Sequence, residues 1–369
     1  MVIILTFLIA VSVTAVGLLL LGSSGKIRPV RDARGNPLPN SIAEKIWVNI
    51  NGIRQGMFVR STDAAHPVLL FLHGGPAMPT YSLEKRYPTG LEQDFTVIWW
   101  EQRGAGLSFS SDIPPETMTV EQNIDDTVAL ADYLRTRFGK SKIYLMGHSW
   151  GSFIGIQAAA KAPDRFHAYI GVGQLTNQLT SEQLAYAYML DEYRARGNAA
   201  MVRKLEAARF EATIPLPPSY MAVRDAAMHR LGVGTTRDMR SVISGMFVPT
   251  WLNGEYTLRE KLNIWRGKWS VCSSQLWNEV LRTDITAVVP RLEIPVYFLH
   301  GKFDYTTSYA LMKPYFEKLQ APLKAFYTFE DSAHSPVFED PERTRMILKT
   351  DVLAGTNSHS DAEEPRMSR

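Results

Sequence analysis

Cysteine is almost absent from this chain of 369 residues, and its absence excludes two kinds of site. The single thiol, Cys272, has no partner for an internal disulfide. No Cys-x-x-Cys motif or His/Cys cluster has the spacing of zinc ligands. We therefore expect no disulfide framework and no bound metal, and no motif of the chain indicates a cofactor.

A strong excess of charge of either sign is also absent. The chain has 40 basic and 37 acidic side chains, for a formal net charge of +3, and no basic block occurs along it. Binding to a nucleic acid requires such a block, so nucleic acid is excluded as a partner. Charged residues make up 21% of the chain, which is too many for a protein with several membrane spans.

Charge is missing altogether from one stretch near the N-terminus. No charged residue occurs from Val2 to Leu21, and about 20 apolar residues form a helix long enough to span a bilayer. No basic residue precedes this run, and no clear Ala-x-Ala site follows it. We therefore predict that residues 1–25 form an uncleaved single-pass membrane anchor, with the side of the membrane left open. The alternative is a cleaved signal and a secreted or periplasmic protein.

The rest of the chain alternates between apolar runs and helical patterns, which is typical of an α/β fold. Continuous apolar runs such as Val68–Leu72 favour strands of a parallel sheet that is covered on both faces. Asn51 and Gly52, between two alternating segments, predict a β-hairpin. The segment Thr119–Phe138 has a capping-box spacing at its start and predicts a helix.

These patterns predict a core that is interrupted by a helical insertion. From about Thr176 to Pro290 the pattern is helical, and strand–helix alternation resumes after it. The predicted segments are a linker at 26–45, a core at 46–175 and 291–353, a helical cap at 176–290 and a disordered tail at 354–369.

A short motif identifies a candidate nucleophile. Gly147-His148-Ser149-Trp150-Gly151 fits Gly-x-Ser-x-Gly, with a predicted strand before it and a helix of small residues after it. In that context the tight turn projects the serine hydroxyl above the sheet. Ser149 is therefore the predicted nucleophile.

A nucleophilic serine needs a base, and the base needs an acid that orients it. Asp304 and His334 each follow a later predicted strand, where sites form in α/β folds. We predict that Asp304 is the acid and His334 is the base. Asp331 is a competing acid, but it lies only three residues before His334 and we assign it to the turn.

A glycine pair indicates where a developing oxyanion would be bound. His73-Gly74-Gly75-Pro76 follows the first long apolar run, and glycines there allow backbone N–H groups to approach the oxyanion. We predict that Gly75 provides one donor. The backbone N–H of Trp150, directly after the nucleophile, is the second predicted donor.

These motifs, together with the segment Glu101–Ser108, resemble those of the proline iminopeptidases, which remove an N-terminal proline from peptides. The resemblance covers roughly residues 68–338 and is weakest in the cap. It implies an α/β-hydrolase fold: a mostly parallel twisted sheet with helices on both faces and an inserted helical cap. It also implies an aminopeptidase that releases the N-terminal residue of short peptides.

The chain departs from the family at three positions, namely Ala77, Glu101 and His148, where the family usually has Gly, Asp and often Gly. Family members bind the free amine of the substrate with cap carboxylates. The resemblance therefore nominates Asp191, Glu192 and Glu255 of the cap. Glu101 is a further substrate-binding candidate.

Two other functions remain open at the level of sequence. One is an esterase or lactonase, in which the aromatic cap would close over an apolar acyl group. The other is a ligand-binding receptor that kept the fold and its triad. The partner expected in each case is a small molecule or a short peptide.

Overall fold

The computed structural model describes residues 22–272 and 275–361, together with Gly17, and is built around an eight-stranded sheet. The strands lie in the order β1-β2-β4-β3-β5-β6-β7-β8. They are Ile42–Ile50 (β1), Ile53–Ser61 (β2), Val68–Leu72 (β3), Thr96–Trp100 (β4), Ile143–His148 (β5), Phe166–Val172 (β6), Val296–Gly301 (β7) and Lys324–Phe329 (β8). From β4 to β8 the neighbouring strands pair in parallel, whereas β1 and β2 are antiparallel.

Burial along the strands explains this arrangement. Every residue of β3 and β4 is buried, as expected for central parallel strands that are covered on both faces. The edge strand β1 is only half-buried and pairs with β2 through a tight turn. Asn51 and Gly52 in this turn both have positive φ, which is the geometry that favours Asn-Gly in hairpins. The predicted hairpin is therefore confirmed.

Helices pack against the sheet and form the insertion between β6 and β7. The α-helices of the described residues are Tyr81–Glu84 (α1), Val120–Phe138 (α2), Trp150–Lys161 (α3), Gln178–Ala195 (α4), Ala199–Ala207 (α5), Pro218–Leu231 (α6), Val248–Leu252 (α7), Leu258–Cys272 (α8), Leu276–Arg282 (α9), Ile285–Val288 (α10), Tyr309–Lys318 (α11), Pro336–Glu339 (α12) and Pro341–Ile347 (α13). The Thr119 side chain accepts a hydrogen bond from Gln122 N at 3.1 Å, so α2 begins at the predicted cap.

The insertion has an apolar core of its own, separate from those that cover the sheet. Met189, Leu205, Tyr220 and Met228 are buried together between α4, α5 and α6. Since these residues pack mainly on one another, the helical cap is a packed layer over one end of the sheet. The fold is thus an α/β-hydrolase fold with an inserted helical cap, as the sequence predicted.

The N-terminal part of the described chain packs against the cap. Gly22 O accepts a hydrogen bond from the buried Lys261 Nζ at 3.1 Å, and Gly25 N donates to Gly254 O at 3.1 Å. Arg28 N donates to Glu255 Oε1 at 2.7 Å. Residues 22–28 span the predicted boundary between the anchor and the linker. In the structure they contact the insertion.

These contacts bear on the prediction of a membrane anchor. Across residues 22–272 and 275–361, no helix is both long enough and apolar enough to cross a membrane. The prediction of membrane attachment through a single-pass anchor is therefore wrong as a description of these residues. The apolar run Val2–Leu21, on which it depended, lies outside the described residues except for Gly17.

The C-terminal segment, predicted to be a disordered tail at 354–369, forms hydrogen bonds with the sheet in its described part. Asp361 N donates to Phe326 O at 2.8 Å, and Thr328 N donates to Asp361 Oδ2 at 3.0 Å. Residues as far as 361 therefore lie along the outer edge of β8, where they satisfy backbone groups of an edge strand. Residues 362–369 lie outside the described part of the chain.

Candidate active site

The candidate nucleophile lies in a sharp turn between β5 and α3. Ser149 has φ 57° and ψ −123°, a conformation that is strained for any residue except glycine. A Cβ on Gly147 would collide with the backbone of Gly151, and one on Gly151 would collide with the backbone of Leu72. The glycines two residues before and two after Ser149 are therefore required by close packing of the backbone.

The predicted acid and base are in direct contact. His334 Nδ1 lies 2.8 Å from Asp304 Oδ2, and both side chains are buried. His334 Nε2 is buried and has no hydrogen-bond partner among the described residues. Ser149, His148 and His334 line one cavity, so the candidate nucleophile and the candidate base border the same space.

The Asp304 carboxylate is held by several donors besides His334. Its Oδ1 accepts from the backbone N–H groups of Thr306 and Thr307 at 2.8 Å and 2.9 Å, and its Oδ2 accepts from Thr307 Oγ1 at 2.9 Å. Burial acts to raise the pKa of Asp304, but the neighbouring His334 and His300 outweigh it and hold that pKa well below its ordinary value. The carboxylate is therefore ionised over the physiological pH range.

Next to the nucleophile, the loop Gly74–Pro76 provides one candidate oxyanion donor. A Cβ on Gly74 would lie 3.1 Å from the Ser149 Cβ, so the loop directly adjoins the serine. Gly75 has φ +128°, and a Cβ there would lie 2.6 Å from Ala77 N. Only glycine fits this position. Trp150 is the first residue of α3, so its N–H has no acceptor within the helix.

Gln102 connects the two candidate donor segments. Its backbone N–H donates to His73 Nε2 at 3.1 Å, and its side-chain Nε2 donates to His73 O at 3.0 Å. Its Oε1 accepts from Trp150 Nε1 at 2.7 Å. Burial lowers the pKa of His73 to about 4, so the ring is neutral and donates from Nδ1 to Gly74 O. Gln102 therefore holds the His73–Pro76 loop and the start of α3 together.

Two adjoining cavities of about 400 Å³ and 440 Å³ meet at Ser149. The first is largely apolar, with Met78, Met228, Met239, Met246 and Phe247 among its lining residues. The second extends under α9 towards Trp277. Ser149, Gly75, Arg224, Asp225, Lys268 and Thr306 line both cavities, so these residues surround their junction.

The charges at this junction are contributed by the cap. Arg224 donates from Nε and Nη2 to the buried Glu182 at 2.6 Å and 2.8 Å, and from Nη1 to Asp225 Oδ1 at 2.7 Å. Asp225 is the only acidic residue that lines either cavity within the described chain, and its Oδ2 accepts no hydrogen bond there. Burial raises the pKa of Asp225, but Arg224 outweighs this effect and lowers it overall. Asp225 is therefore an ionised carboxylate that faces the cavities.

The structure brings none of the cap acids predicted from sequence to Ser149. Asp191 and Glu192 are on the outer face of α4, where they pair with Arg194 and Arg196. Glu255 accepts hydrogen bonds from Tyr81 and Arg28 in a separate cavity of about 190 Å³. These predictions were wrong, because acidic residues occur throughout the cap and the sequence does not indicate which helix face is turned to the sheet.

Glu101 is buried outside both cavities and connects the cap to the core. Its carboxyl oxygens accept from the Tyr256 hydroxyl of the cap and from the Leu107 backbone N–H. It therefore does not reach a substrate at Ser149, and the prediction that it binds substrate was wrong. Burial raises the pKa of Glu101 to about 8, although the bond from Tyr256 acts to lower it.

This raised pKa leads to a prediction for stability. Between the ordinary glutamate pKa of about 4.3 and the folded value, the folded protein keeps a proton that the unfolded chain loses. The contribution of Glu101 to stability is therefore greatest at acid pH and declines as pH rises through about 8. Glu101→Gln removes this titration, so the urea midpoint of the variant should fall less than that of the wild type from pH 5 to pH 8. If the urea midpoints of the two proteins fell equally from pH 5 to pH 8, the raised pKa assigned to Glu101 would be contradicted.

Comparison with known proteins places the chain in a family. A family model described as the alpha/beta hydrolase fold matches residues 67–341, so the chain belongs to the α/β-hydrolase family. The chain is 33% identical to a probable aminopeptidase, YbaC of Bacillus subtilis, over 83% of this chain and 95% of that protein. It is 24% identical to a proline iminopeptidase of Heyndrickxia coagulans, over 82% and 96%.

A solved structure supports the fold. The chain matches the proline iminopeptidase of Mycobacterium smegmatis with a TM-score of 0.63 and 18% identity, over 84% of this chain and 98% of that chain. The chain is thus a hydrolase of the α/β family, and it resembles the proline iminopeptidases as its motifs indicated. The described residues contain no group of three or more His, Cys, Asp or Glu side chains that could hold a metal ion.

Sequence reasoning missed the charged residues at the cavity junction. Arg224 and Asp225 lie within α6, and Lys268 lies within α8, among many similar residues of the cap. No motif surrounds them, and their position beside Ser149 depends on the way the cap helices pack. Glu182 has no sequence signal either, because its burial is seen only in the structure.

Proposed function

We propose that this hydrolase is a serine aminopeptidase of the proline iminopeptidase type, which releases the N-terminal residue of short peptides. Its triad consists of Ser149, Asp304 and His334. The observation that carries the proposal is the ionised Asp225 carboxylate at the junction where Ser149 lies. An exopeptidase must recognise a cationic amine, and an amine that leaves water needs a carboxylate to compensate it.

The geometry supports an acyl-enzyme mechanism. His334 Nε2 takes the proton of the Ser149 hydroxyl as Oγ attacks the scissile carbonyl carbon, and Asp304 stabilises the resulting imidazolium. The N–H groups of Gly75 and Trp150 donate to the oxyanion. The C–N bond then breaks, and His334 returns the proton to the departing nitrogen. Water repeats these steps on the ester, releases the amino acid and restores the serine.

Asp225 binds the substrate amine in this proposal. Its Oδ2 is free within the described residues, and Arg224 holds Oδ1 in place at 2.7 Å. Because the ammonium form is required, hydrolysis should weaken as pH rises through the amine pKa, which is about 8 for an α-amino group. A prolyl arylamide should therefore be cleaved, and its N-acetylated form should be a far poorer substrate.

The test compares Asp225→Asn with the wild type on a prolyl arylamide and on a small neutral ester. Loss of a charged hydrogen-bond partner costs about 1.5–3 kcal/mol, so the ratio of arylamide to ester kcat/KM should fall about ten- to a hundred-fold. Glu192→Gln is the matched control, because Glu192 pairs with Arg196 on the outer face of the cap. It should leave the ratio unchanged.

A second function has one specific observation in its favour. The methionine- and phenylalanine-lined cavity beside Ser149 suits an apolar acyl group, as an esterase requires. Equal cleavage of the free and the acetylated arylamide, together with no change of the ratio in Asp225→Asn, would reject the aminopeptidase and favour the esterase. Failure of every ester and amide to react would favour the ligand-binding receptor.

A further inference from the structure

Lys268 is a cation at the cavity junction that forms no direct ion pair with a described carboxylate. It lies on α8, is half-buried, and lines both cavities that contain Ser149. Its Nζ donates to Pro76 O at 3.0 Å, and within the described chain it forms no ion pair. A partly buried ammonium group that forms no direct ion pair is a candidate for binding an anion.

The other charges of the junction do not contact Lys268 directly, although Lys268 is close enough to Asp225 to help lower the pKa of that carboxyl. Glu182 and Asp225 both bind Arg224, and these three groups leave one negative charge, whose free oxygen is on Asp225. Lys268 therefore lines the cavities as a cation without a direct ion pair. The site thus presents one free negative group and one free positive group on the walls that surround the same nucleophile.

The position of Lys268 relative to the scissile peptide bond follows from its hydrogen bond to Pro76 O. That residue directly follows Gly75, and the loop they share adjoins Ser149. A substrate that lies across Ser149 with its amine at Asp225 therefore has its leaving group on the remaining walls of the junction, where Lys268 is available. Two residues of extended chain span at most about 7 Å, so a dipeptide is short enough to present both of its ends here.

We propose that Lys268 binds the C-terminal carboxylate of the leaving residue, so that the preferred substrates are dipeptides with both ends free. This inference rests on the proposed aminopeptidase function and specifies its substrate class. Asp225 binds the ammonium end and Lys268 binds the carboxylate end, with the peptide bond held between them at Ser149. Longer peptides place an uncharged amide where the dipeptide has its carboxylate, and they lose this interaction.

The experiment uses Pro-Phe and its C-terminal amide, Pro-Phe-NH₂, with the full-length protein. We expect the wild type to have the higher kcat/KM for the free acid. Lys268→Met, which keeps the length of the side chain and removes its charge, should lower the ratio of acid to amide kcat/KM about ten-fold or more. Lys268→Arg should keep most of the ratio, because it keeps the charge.

Controls separate binding from support of the loop. If Lys268 only holds Pro76, Lys268→Met lowers the rates of acid and amide by the same factor and the ratio stays constant, which overturns the inference. Lys204→Met changes an exposed lysine elsewhere in the cap and should leave the ratio as it is in the wild type. Thermal unfolding of each variant establishes that it is folded.

The outcomes also distinguish this inference from the function on which it rests. A wild type that hydrolyses both Pro-Phe and its amide with equal kcat/KM remains an aminopeptidase, and only the role of Lys268 is rejected. A wild type that hydrolyses neither compound, but does hydrolyse small esters, rejects both. The acid-to-amide ratio should also fall as salt is added, since partly exposed charge pairs are screened.

Discussion

Ser149→Ala is expected to lower kcat/KM by about 10⁴- to 10⁶-fold on any substrate that the protein turns over, because the acyl-enzyme can no longer form. His334→Ala should be nearly as severe, since His334 is the proposed base and its buried Nε2 has no hydrogen-bond partner among the described residues. The residues act as a unit, so the double variant should be little slower than either single variant. Steady-state rates of the three variants with a chromogenic ester provide the measurement.

A covalent probe tests the same assignment independently of turnover. A fluorophosphonate should label the wild type at Ser149, and Ser149→Ala should not be labelled. Ser152→Ala is a matched control on the same helix: the Ser152 hydroxyl is fully buried and donates to Ser149 O at 2.6 Å, so it is unavailable to the probe. Labelling of any other serine, or normal turnover by Ser149→Ala, would reject the nucleophile.

Much of the fold could be predicted from sequence because its signals are local. The apolar run Val68–Leu72 is long enough for a strand and too short for a stable helix, and it forms the buried β3. The Asn-Gly turn and the capping residue Thr119 each act on the backbone of their immediate neighbours. Such features need no knowledge of distant residues.

The contact between residues 22–28 and the cap could not be predicted from sequence. Residues 22–28 bind the cap through backbone groups, including the bond from Lys261 to Gly22 O. Most of these contacts use backbone groups, which every residue possesses, or the hydroxyls of Ser23 and Ser24, so no distinctive side-chain pattern marks the contact. The same is true at the C-terminus, where Asp361 N donates to Phe326 O.

The residues of the candidate site also differ in whether sequence alone could identify them. Ser149, Asp304 and His334 could be proposed because each follows a strand in a fixed order, and the topology of the sheet brings the strand ends together. The cap acids could not be chosen, because their usefulness depends on which face of α4 or α6 is turned to Ser149. Asp225 and Glu192 are both charged residues of cap helices, and only packing separates them.

Asp304→Asn is the substitution that most sharply tests the role of the acid. Asp304 Oδ1 accepts from the backbone N–H groups of Thr306 and Thr307, so the amide oxygen of the asparagine should take that place. Its NH₂ group then faces His334 Nδ1 and donates to it. The imidazole proton is forced onto Nε2, which can no longer accept the proton of Ser149.

We therefore expect Asp304→Asn to lower kcat by about 10⁴-fold while the protein stays folded, because the two backbone hydrogen bonds are kept. Asp331→Asn is the matched control: Asp331 is the competing acid of the sequence, it is exposed, and it lies three residues before His334. It should retain near-normal kcat. The reverse result, with Asp331→Asn inactive and Asp304→Asn active, would transfer the role of the acid to Asp331, against the 2.8 Å contact between Asp304 and His334.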